Sequence, residues 1–179
     1  MFLGLAAIST LLSAALLQPL SVEELSQSAD VIVHGTVLNK TCLRDPEGRI
    51  YTRIELQVHE VWKGNVTSNT FTLVHSGGVL GEERVESSAQ VEYEVGEEVA
   101  AFLRLNQHGE GVTLGLVQGK FHIATEQPTG EKFARNLFHG NSESYDTEPA
   151  STKRTAARRS VSTALRLEEL KLRAQKAAR

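Results

Sequence analysis

Six histidines carry much of the chemical capacity of this 179-residue chain: His34, His59, His75, His108, His122 and His139. An imidazole ligates metals and moves protons near neutral pH, and a metal site needs several such donors converging at about 2 Å. No two of these histidines stand in a His-x-His or His-x3-His spacing beside carboxylates, so the sequence predicts structural roles for them. Cys42 is the single cysteine and has no partner for an internal disulfide. Stability must therefore come from packing, and Cys42 is expected as a half-buried small side chain beside a strand.

Ser76-Gly77-Gly78-Val79-Leu80-Gly81 has the glycine content of a phosphate loop. A phosphate cradle requires a helix N-terminus directly after it, whereas Glu82 and Glu83 follow here and repel an anion. The stretch reads as an inter-strand loop, with Gly77 and Gly78 as candidate partner-binding residues. Glu82, Glu83, Glu86, Glu94, Glu97 and Glu98 read as solvated faces, because nothing places one in the desolvated pocket a general acid requires. The sequence predicts no catalytic residue, no cofactor and no metal. Trp62 and Lys63 are further candidates for contacting a partner, with closure of a barrel bottom as the alternative role for Trp62.

The elements that hold these residues follow from side-chain parity. From Ile50 to Val58 apolar and polar residues alternate, which places Ile50, Thr52, Ile54, Leu56 and Val58 on one face of a strand. The parity slips past His59, where Val61 rather than Glu60 is the next apolar residue. A bulge in a sharply curved strand produces this pattern, and long bent strands belong in small closed barrels. Ser21-Val22-Glu23-Glu24 is a capping box that opens a short helix. Val31–Leu38 is a strand apolar on both faces, and Asp45-Pro46-Glu47-Gly48 turns it into the bent strand. Strands are further predicted at 70–75, 85–91, 97–105, 112–117 and 120–124. The fold class is thus mainly β: a small closed barrel of six or seven strands over 21–127, with a short N-terminal helix and a C-terminal helix.

Phe2–Leu17 is an uncharged apolar run of the length of a signal-peptide core, short of the roughly 20 residues of a membrane span. Residues 1–17 thus predict an exported protein of periplasm, envelope or medium; a missing basic residue before Lys40 leaves open a helix of the fold or a misassigned start. Residues 128–159 read as a flexible linker and 160–179 as a basic helix. Residues 1–152 hold 10 Lys and Arg against 20 Asp and Glu, and 153–179 hold 9 against 2, charges of about −10 and +7. The acidic body disfavours nucleic-acid binding by the barrel. The tail, with Arg158 and Arg159, keeps that partner class open, beside acidic lipid or a protein.

Ala29–Val37 (ADVIVHGTV), Ile50–Gly64 (IYTRIELQVHEVWKG), Ser76–Val85 (SGGVLGEERV) and Tyr93–Leu103 (YEVGEEVAAFL) together resemble the OB-like barrel of the tissue inhibitors of metalloproteinases and netrin-like modules. They are more similar still to bacterial exported proteins of unknown function sharing that barrel. The inhibitors chelate a catalytic zinc through an N-terminal cysteine. Cys42 is internal and follows the first strand, so no residue here inherits that role. The resemblance implies a barrel, and the expected function is a non-catalytic exported binding or structural module with a protein partner. The alternatives are inhibition of an extracytoplasmic metalloprotease through the Ser76–Gly81 loop and nucleic-acid binding through the tail.

Overall fold

The computed structural model describes residues 18–87, 91–140 and 164–178. The predicted capping box forms: Ser21 accepts from the Glu24 backbone N–H, Glu24 accepts from the Ser21 backbone, and helix α1 runs Val22–Ser28. Strands β1 (Val31–Arg44) and β2 (Ile50–Lys63) pair as a long hairpin. β3 (Thr70–Ser76), β6 (Glu98–Leu105) and β7 (Gly111–Thr113) complete a ring in the order β1-β2-β3-β7-β6, closed by β6 on β1. All its pairings are antiparallel except β3 with β7.

Three strands extend the sheet beyond the ring: β8 (Lys120–Thr125), β9 (Lys132–Arg135) and β10 (Leu165–Arg166). The edge of β6 away from β1 is shared, its first half bonded to β8 and its second half to β7. The ring therefore has five strands rather than six or seven. Helix α2 (Leu167–Ala177) packs beside α1 over this extension.

Two apolar cores explain why β1 and β6 are apolar on both faces. Val31, Val33, Val99, Ala101 and Leu103 point into the barrel with Ile54, Leu56 and Leu73. Ile32, Ala100 and Phe102 take the opposite parity and meet Phe121, Trp62, both helices and β9. A strand buried on both sides carries no alternation to read.

β2 bulges where its parity slips. Val58 faces Gly35 and Glu60 faces His34, which leaves His59 as an extra residue; a second shift leaves Trp62 extra between Val61 and Lys63. Gly35 is needed at the first bulge, because a Cβ there would lie 2.2 Å from the Gln57 carbonyl oxygen.

Other expectations are corrected. Ser76–Gly81, read as a loop, contains β4 (Gly78–Leu80), paired with β5 (Glu83–Val85) in a small separate hairpin. Lys132–Arg135, within the stretch read as linker, is strand β9, and its Ala134 is fully buried. The strand expected over 112–117 stops at Thr113 and gives way to a 3-10 turn, Leu116–Gly119. The export signal at 1–17, Arg158, Arg159 and the linker from residue 141 onward lie outside the described residues. No described helix is long and apolar enough to cross a membrane.

Candidate functional site

Gly77 and Gly78 lie beside a cleft of about 570 Å³ between the β4–β5 hairpin and the barrel wall, lined in part by Lys40, Cys42, Thr52, His75, Gly78 and Arg84. The hairpin can lie this close only because residue 78 is glycine. Its φ is +139°, and a Cβ there would sit 2.5 Å from Thr52 Oγ1 and 2.7 Å from Cys42 Sγ. Thr52 donates to the Gly77 carbonyl at 2.8 Å, pinning the hairpin base to β2. Cys42 is half-buried, as its strand position predicts.

The charges around the cleft are mostly paired. Lys40 reaches Glu92 at 3.5 Å and Glu94 at 3.2 Å, and Arg84 reaches Glu86 at 2.8 Å. Val79 and Val85 stand out on the hairpin, 56 % and 41 % exposed. A cleft of mixed charge with an apolar rim suits a polypeptide better than a compact anion.

Trp62 and Lys63 are placed elsewhere, at the opposite core. Trp62 is only 6 % exposed, and its indole N–H donates to Glu60 Oε2 at 2.8 Å. Lys63 Nζ donates to the Ser26 and Gln27 carbonyls at 2.7 and 3.2 Å, satisfying free carbonyls at the end of α1. Both side chains are therefore engaged within the molecule.

A cluster the sequence spacing does not announce lies beside Trp62. The His34 ring, on the outward face of β1, stacks on the indole at 5.9 Å and meets the His59 ring edge-on at 5.3 Å. His34 Nε2 lies 2.6 Å from Glu98 Oε1, and Lys132 Nζ donates to both Glu98 oxygens at 2.7 and 3.0 Å. Burial alone would raise the Glu98 pKa, but Lys132 and His34 outweigh it and hold the carboxyl below its ordinary value. Thr36 Oγ1 lies 3.3 Å from His59 Nε2. One donor atom from each of His34, His59 and Glu98 falls within 4.8 Å of the others. Lys171 from α2 bonds Glu60 at 2.8 Å beside the same tryptophan, and this bond, more than that from Trp62, lowers the Glu60 pKa.

His34 and His59 are 25 residues apart and Glu98 lies 39 further on, so no local motif marks them. One signal was present. Counting back evenly from the Asp45–Gly48 turn sets His34 opposite residue 60, and the parity slip falls at His59 next to it.

Of the other histidines, His122 lies 3.0 Å from Glu97, which also binds Lys120 at 2.7 Å. His139 Nε2 lies 2.8 Å from the Leu20 carbonyl and stacks on Phe121. No protein-family model matches the chain, and no curated protein matches it either.

Proposed function

We propose that this chain is a non-catalytic, exported binding module built on an OB-like barrel, and that it takes a protein segment into the cleft under the β4–β5 hairpin. Support for the barrel type comes from the ring order, in which the third and fifth strands are parallel neighbours and the fourth closes on the first. The resemblance to metalloproteinase inhibitors and netrin-like modules extends to that barrel and to no residue role. The apolar run Phe2–Leu17 supports export.

The single observation that carries the reading is the glycine-dependent seat of the hairpin, which keeps a cleft open beside Cys42 and Thr52 with valines on its rim. Of the four described cations of the tail, Arg166, Lys171 and Arg173 are engaged with carboxylates of the body and Lys176 is exposed, so this part of the tail supports nucleic acid less than its charge alone would.

A photo-crosslinking residue at Val79 tests the proposal in cell-envelope fractions, with Leu172, 65 % exposed on α2, as control position. One discrete adduct from Val79, lost when Val85→Asp charges the rim and absent from Leu172, is the expected result. Equal labelling from both positions would remove the cleft as the binding surface. The projecting hairpin also favours the metalloprotease-inhibitor reading, for which the adduct would be a zinc protease whose activity falls stoichiometrically.

A further inference from the structure

We propose that His34, His59 and Glu98 form a binding site for a divalent transition-metal ion of the zinc class, using one imidazole nitrogen from each histidine and one carboxylate oxygen. It is independent of the cleft and of any partner there. Three different strand segments supply the donors, β1, the bulge of β2 and the start of β6, so barrel closure sets their spacing. A bulge re-aims a side chain, and the bulged residues His59 and Trp62 both meet the His34 ring.

The second observation is His34 itself. It is 6 % exposed, and its Nδ1 is buried with no hydrogen-bond partner among the described residues. Buried polar atoms are almost always satisfied, and an exception calls for an explanation such as strain, a water, a functional role or an ion.

The geometry is close to that required. Around a tetrahedral ion with bonds of about 2.0–2.1 Å, neighbouring ligand atoms sit about 3.3 Å apart. His34 Nε2 and Glu98 Oε1, now at hydrogen-bond distance of 2.6 Å, need to part by less than 1 Å. His59 is exposed, and covering the remaining distance would shift it from its 3.3 Å contact with Thr36. When Nε2 takes the ion its hydrogen leaves to solvent, and in the neutral ring Nδ1 then carries the hydrogen, which no described residue accepts, so a water would have to be its acceptor. Lys132 must give up its 2.7 Å bond to Oε1, the oxygen the ion takes, and can keep its 3.0 Å bond to Oε2, as outer partners of ligating carboxylates do. Two imidazoles and one carboxylate suit zinc, cobalt or nickel; calcium and magnesium favour all-oxygen sites.

Trp62 is the single tryptophan and stacks on His34, so its fluorescence reports on this cluster. Co(II) titrated into metal-free full-length protein is expected to quench it saturably, with reversal by EDTA and competition by Zn(II). His59→Ala and Glu98→Gln should each weaken Co(II) at least about tenfold, while His75→Ala and His108→Ala leave the Kd unchanged. Circular dichroism of the metal-free variants establishes that they are folded. His59→Ala, on an exposed side chain, decides the matter alone if Glu98→Gln does not fold. Quenching that is unaltered in His59→Ala, or no saturable quenching at millimolar Co(II), overturns the site.

Discussion

Arg173 grips Glu23 with both prongs of its guanidinium, Nε to Oε1 at 2.8 Å and Nη2 to Oε2 at 2.9 Å, across 150 residues of sequence. The contact ties α2 to α1. Its side chains are 37 % and 45 % exposed, so water and salt screen it. A double-mutant cycle on Glu23→Gln and Arg173→Gln is expected to give a coupling of about 0.5–1 kcal/mol that fades at high salt. Urea titration measures it, and strict additivity would remove the pair from the account of helix docking.

The apolar face of α2 contributes more. Leu170 is fully buried among the residues of the outer core. Leu170→Ala should cost about 3 kcal/mol, through lost transfer energy and the cavity left behind. The same variant should lose the C-terminal segment faster in limited proteolysis. Unchanged stability would mean that the helix contributes little to the core.

Gly35 and Gly48 offer a controlled comparison. Gly35→Ala drives a methyl into the Gln57 backbone, and no rotamer relieves it. Gly48 has a φ of +84° and nothing within 4 Å of the point where a methyl would stand, so Gly48→Ala meets only the left-handed backbone cost of about 1 kcal/mol. Thermal melts should show a small shift for Gly48→Ala and little or no folded protein for Gly35→Ala. Similar melts for the two would argue against the close approach of β1 and β2 at the bulge.

Acid should destabilise the protein through Glu97 and Glu98. Burial alone would raise the Glu97 pKa, yet Lys120, the Glu94 backbone N–H and His122 together hold it below its ordinary value of 4.5. The folded carboxyl thus titrates below the unfolded one. Its contribution is present above about 4.5 and is lost as pH falls through the lower folded value; Glu98 acts in the same direction. Denaturation midpoints should fall between about pH 5 and pH 3. Lys120→Met should lower stability at neutral pH by about 2 kcal/mol and flatten this acid limb. An acid limb as steep as that of the unsubstituted chain would dismiss Lys120 as its cause.

The hairpin was legible because its signals are local: alternation from Ile50 to Val58, a turn at Asp45–Gly48 and a parity slip at His59, where the structure places an extra residue. The capping box at Ser21 was legible for the same reason. β9 was not, since Lys132-Phe-Ala-Arg135 is too short to show a period and becomes a strand only by bonding to β8. Likewise, Glu98 read as one more solvated acid. Its approach to His34 follows from β6 closing on β1, a pairing across more than 60 residues that no window of sequence contains.

The order of synthesis gives the outer core a particular vulnerability. Leu165, Leu167, Leu170 and Ala174 belong to the same cluster as Val22, Leu25 and Ile32, so a ribosome must make nearly all of the described chain before that cluster can close. The inner core, drawn from residues 31 to 103, needs no such wait. A nascent barrel would spend that interval with Trp62 and Phe121 incompletely covered, and a chaperone reading exposed apolar surface would find it there.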